Sequence, residues 1–241
     1  MPTLSEDGNA DLLRKQKVPL LFAETVARLL DDESLQNLKE SNSGHCGNVG
    51  RSLWDNQLLI CLNVVYNSTA KTFEYCLRCR RSSEYGCYEP EEPYTYDPAD
   101  HRFVRLFAVR LLSARCSLDY LEVTWMSAKP SDPTFLKLLR APFPRTDLLI
   151  FTKCLEFLKL LPDYCTFNYI FATDVYSEVL DAIIERSQEC GRLEDIYCEE
   201  IFKKRGRQAS IDWIATLRSI YYTNIDNLTT IQLVLDRIGV Q

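Results

Sequence analysis

Apolar residues recur at helical spacing early in the chain. Leu20, Leu21, Phe22, Val26, Leu29 and Leu30 fall close to one side of a helix of period 3.6. Val18-Pro19 precedes them, and a proline with fixed φ and no N–H suits the first turn of a helix. Asp31-Asp32 break the pattern, and Ser34 or Asp32 can cap a second short helix carrying Leu35 and Leu38. A polar, glycine-containing segment follows (Asn42, Ser43, Gly44, Gly47, Asn48, Gly50), read as loop through His45-Cys46, and Trp54 closes the unit. Two or three helices this short cannot bury both sides of themselves. One apolar face must meet another surface, either the rest of the chain or a separate protein.

From Gln57 the texture changes to β-branched and aromatic residues around the polar break Asn67-Ser68-Thr69-Ala70-Lys71. This predicts a β-hairpin with strands near Leu58–Tyr66 and Thr72–Arg80. Residues 82–100 are rich in Tyr, Glu and Pro and predict an exposed loop. Phe103–Ser113 reads as helical or mixed. Strand-like pieces then recur at Tyr120–Trp125, Leu148–Phe151, Phe167–Phe171 and Leu193–Tyr197, with helices between them. Asp132 caps one helix with Pro133 at its first position, carrying Phe135, Leu136 and Leu139. Another carries Leu155, Leu158 and Leu161 and stops at Pro162. A third starts at Thr173 or Asp174, turns Val179, Leu180, Ile183 and Ile184 inward and ends at Gly191. A fourth holds Ile211, Ile214 and Leu217, and the apolar segment Ile231–Ile238 comes last.

From Leu121 to Leu149 is 28 residues, from Leu149 to Ile170 is 21, and from Ile170 to Ile196 is 26. One strand plus one helix per interval is the period of a leucine-rich type of solenoid, whose units stand only by stacking. The regular Leu and Asn consensus of such repeats is absent. The expected organisation is a leader over 1–16, a helical module over 17–54, a hairpin and loop over 55–100, and β/α repeats over 101–241. The fold class is therefore α/β (α+β), with irregular β/α repeats resembling a leucine-rich-repeat solenoid.

Composition narrows the function. The 46% hydrophobic and 11% aromatic content supplies a core. Lys+Arg 28 against Asp+Glu 34 gives −6, which does not suit a general nucleic-acid or anionic-membrane binder. The basic run Lys203–Arg207 reads as a solvated loop. The first eleven residues are polar and acidic, unlike a signal peptide, and the apolar runs are too short to span a bilayer. Ten scattered cysteines suit reduced thiols in cytosol or nucleus, and the sequons at Asn67 and Asn227 are then expected to stay unmodified.

Candidate chemistry is sparse. Only His45 and His101 are present, and no phosphate-binding Gly loop, nucleophile elbow or metalloprotease motif is found. His45-Cys46 has no orienting third group. Cys76-x-x-Cys79, with Cys87 and His45 or Cys46, is the nearest approach to a zinc site. It lacks a second spaced pair, and positions three apart on a strand face opposite ways. No cofactor or metal is expected. Acidic pairs such as Asp31-Asp32 and Glu199-Glu200 are read as surface acids, suited also to facing a basic partner.

The residues Val18-Pro19, Leu20–Leu30, Asp31-Asp32, Ser34-Leu35, Leu38 and Trp54 together resemble an F-box. The likeness covers under a sixth of the chain; Asn42–Arg51 departs from the usual spacing, and Val18 stands for the commoner Leu. With the repeats behind it, the arrangement resembles nematode proteins with F-box-associated domains. That resemblance implies a non-catalytic substrate-recognition subunit of a Skp–cullin–F-box ubiquitin ligase. Pro19, Leu20, Phe22, Val26, Leu29, Leu30, Leu35 and Leu38 would then meet the Skp-type adaptor, and the repeats would bind a target protein for ubiquitin-dependent degradation. Such families diversify, and a few members neutralise toxins of selfish elements. The rival readings are a stand-alone protein-binding solenoid capped by its first helices, and, more distantly, a zinc-binding hairpin protein or cysteine enzyme.

Overall fold

The computed structural model describes residues 20–30, 32–41, 44–80, 92–115, 124–143, 145–153, 155–173, 175–206 and 208–212. The chain divides into two compact units, Met1–Asn56 and Gln57–Gln241.

Among the described residues, the first unit has three helices, α1 (Leu20–Leu29), α2 (Asp32–Glu40) and α3 (Gly44–Asn56). From Gly44 onward the segment read as a polar loop is thus a helix, His45 and Cys46 included, while Asn42 and Ser43 lie outside the described residues. α3 packs against both α1 and α2. Its glycines explain the misreading. A Cβ on Gly47 would stand 2.5 Å from the Ser41 carbonyl oxygen, and one on Gly50 would stand 2.7 Å from the Lys39 backbone N. Three residues apart, the two glycines share one side of the helix and let it press against the end of α2. Lys39 Nζ reaches Asp55 Oδ1 at 3.1 Å and lies 5.7 Å from the Trp54 ring, tying the same two helices from outside.

The second unit is built on one mixed sheet. Its strands are β1 (Leu58–Asn67), β2 (Thr72–Arg80), β3 (Glu92–Tyr94), β4 (Val104–Leu112), β5 (Met126–Ala128), β6 (Asp147–Ile150), β7 (Tyr169–Ala172) and β8 (Asp195–Cys198). The order across the sheet is β3-β2-β1-β4-β6-β7-β8, with β5 also paired to β2. β1 and β2 form the expected hairpin, from Leu59 opposite Arg80 to Asn67 opposite Thr72. Its turn is held by the Asn67 side chain, which accepts from Ala70 N at 3.0 Å, and Lys71 takes φ 52 there. β1, β4, β6, β7 and β8 run parallel in sequence order.

Several expectations are corrected. Within Phe103–Ser113, read as helical or mixed, Val104–Leu112 is a strand: β4 lies between β1 and β6 and is buried on both faces over most of its length, so it shows no clean alternation. A bulge opposite Ile60/Cys61 absorbs Phe107. Within the expected loop 82–100, Glu92–Tyr94 pairs with β2 and Tyr96 is buried, while 82–91 lie outside the described residues. Most of Tyr120–Trp125 lies outside the described residues. The nearby strand Met126–Ala128 joins β2 antiparallel, outside the parallel series. The α/β class holds, on one mixed sheet in which β4, β6, β7 and β8 run parallel in chain order beside an antiparallel part.

The helices cover one face of that sheet. α4 (Pro133–Leu139) begins as expected, with Asp132 Oδ1 accepting from Thr134 N at 2.9 Å and Phe135 N at 3.0 Å. Asp132→Ala is expected to lower unit stability by about 1 kcal/mol, read as a shift in the urea midpoint. The segment around Leu158 is a short 3₁₀ helix, Glu156–Leu160, and not an α-helix. α5 (Glu178–Glu189) starts at Ser177, whose side chain accepts from Leu180 N, later than the Thr173 or Asp174 start expected. It closes at Gly191 with φ +66, a left-handed cap. α6 (Glu199–Arg205) takes up most of the basic run read as loop. Glu199 and Glu200 in its first turn pair with Lys203, 2.7 and 3.0 Å away, and complement the helix dipole. Residues 208–212 are helical, and Ile211 packs partly buried on the core. Ile214, Leu217 and Ile231–Ile238 lie outside the described residues.

Phe73, Tyr75, Phe135 and Phe157 form an aromatic knot that seats α4 and the 3₁₀ helix on the hairpin, with ring centroids 4.8–6.2 Å apart. Ser187 accepts from Phe167 N and donates to the Ile183 carbonyl, so this buried hydroxyl is satisfied. Among the described residues, no helix is long and apolar enough to cross a membrane.

Candidate functional site

Each unit presents an apolar surface. On α1 of the first unit, Phe22, Val26 and Leu29 are 60%, 41% and 53% exposed. Their spacing of four and three residues aligns them in one stripe. Ala23 and Ala27, on a neighbouring side of the same helix, are buried. Among its described side chains, the helix therefore spends small residues on packing and large apolar ones on solvent, the reverse of ordinary amphipathic order.

The other expected adaptor contacts divide. Leu30 and Leu38 are half-buried, and Leu35 is fully buried and lends the stripe no surface. Pro19 lies outside the described residues, as does the side chain of Leu20.

In the second unit, the sheet face away from the helical core carries a surface that sequence reasoning left unassigned. Alternate residues of β6, β7 and β8 point into the core: Leu148, Ile150, Ile170, Ala172, Ile196 and Cys198. The intervening residues point the other way and line up by register. Asp147, Tyr169 and Asp195 make one row, and Leu149, Phe171 and Tyr197 make the next. Phe151, 45% exposed, follows β6. The rings form a ladder: Phe151 to Phe171 at 5.6 Å, then Phe171 stacked on Tyr197 at 5.1 Å. Asn168 holds the strand starts together, accepting from Thr146 N at 3.3 Å and donating to Glu194 Oε1 at 2.9 Å. Glu194 also pairs with Arg145 at 2.7 Å.

The electrostatics of the first row follow from its partial burial. Burial raises the Asp147 carboxyl above its ordinary range, opposed by the nearby Arg145, Arg80 and Arg110. Burial also raises the Tyr169 phenol, reinforced by Asp195 and Asp147. The signal for this face was present as period-2 alternation of large apolar and aromatic residues. With one side of each strand already assigned to the core, the other side was the candidate.

Cys76 and Cys79 both lie on β2. Cys79 faces the helical core and Cys76 the other side, as their spacing on a strand requires. Cys87 lies outside the described residues. No cluster of three or more His, Cys, Asp or Glu positioned to hold a metal occurs among the described residues. Burial pushes the Cys165 thiol up to about 12 and the Cys198 thiol to about 11, which makes both poor nucleophiles at neutral pH. His101 Nδ1 sits 2.8 Å from the Tyr96 hydroxyl. Comparison with protein-family models, with curated proteins and with solved structures finds no match for this chain.

Proposed function

We propose that this chain is a non-catalytic substrate-recognition subunit of a Skp–cullin–F-box ubiquitin ligase, working in the cytosol or nucleus. The helical unit docks on the Skp-type adaptor, and the sheet-containing unit binds the protein to be ubiquitylated. The observation that carries the reading is the solvent-facing stripe of Phe22, Val26 and Leu29 on a module of short helices. Apolar surface of this kind on a small unit marks a protein interface. The likeness of residues 17–54 to an F-box supplies the identity of the partner. The mechanism is proximity: other subunits transfer ubiquitin, and this chain raises the effective concentration of the target's lysines beside them.

The test is co-precipitation with a Skp-type adaptor. Wild type captures it, whereas Phe22→Asp/Val26→Asp loses at least about 100-fold in affinity, each anchor being worth on the order of 2 kcal/mol. Both side chains are exposed, so the variant keeps the wild-type melt. If the first helices only cap the fold, the adaptor binds neither protein.

A further inference from the structure

We draw no further inference here: the strongest candidate, the ladder of Phe151, Phe171 and Tyr197 on the face of β6, β7 and β8 away from the helical core, is a partly exposed apolar face, and nothing in the structure shows what covers it.

Discussion

Ile183→Asp is expected to leave the sheet-containing unit unfolded. Ile183 is 2% exposed on the inner side of α5, in the same core as Leu180, Ile184, Phe157 and Leu158. Burial of the isoleucine contributes about 1.5–3 kcal/mol, which the substitution forfeits. A carboxylate buried among apolar side chains without a partner adds several kcal/mol more. Together these approach the whole stability of an ordinary domain, about 5–15 kcal/mol. Glu185→Ala, on the exposed side of the same helix, should change stability by less than about 0.5 kcal/mol. Far-UV circular dichroism and a thermal melt of both proteins decide it. An Ile183→Asp protein melting at the wild-type temperature would show that α5 does not bury this side.

Gly50→Ala is expected to destabilise the helical unit. The added methyl would stand 2.7 Å from the Lys39 backbone N and 2.9 Å from the Leu38 carbonyl carbon. Neither atom belongs to a flexible side chain, so α3 and the end of α2 must separate. Overpacking of this kind costs about 1–3 kcal/mol, which outweighs the roughly 1 kcal/mol by which alanine favours a helix over glycine. Gly44→Ala on the same helix meets nothing within 4 Å and should be neutral or mildly stabilising. Urea midpoints of the two variants should therefore move in opposite directions, or only that of Gly50→Ala should move. A more stable Gly50→Ala protein would rule out the close approach of α2 and α3.

What the sequence disclosed depended on whether the signal was local. The Asp132-Pro133 helix start needs only neighbouring residues, and the polar break at Asn67–Lys71 defines its own hairpin. The pieces at β6, β7 and β8 stood out as short apolar runs between helices. β4 was ambiguous because a strand buried on both faces loses the period-2 mark, and FVRLFAVRLLS fits a helix as well. α3 was missed because glycine is a poor helix former, and Gly47 and Gly50 show their purpose only against α2. Of the residues expected to meet an adaptor, Phe22, Val26 and Leu29 are exposed and Leu35 is buried. Leu35 has the same apolar character as Phe22, and only the tertiary packing sends one inward and the other to solvent. The outward positions of β6, β7 and β8 were readable from alternation, but the ring ladder was not: Phe151, Phe171 and Tyr197 are far apart in sequence, and only strand register brings them together.

The most direct measurement of the central claim is isothermal titration of purified wild-type chain with a purified Skp-type adaptor, beside Phe22→Asp/Val26→Asp. A one-to-one complex is expected for wild type, with the negative heat-capacity change of buried apolar surface, and binding weakened at least about 100-fold for the double variant. Absence of binding by correctly folded wild type, or equal binding by the double variant, would contradict it.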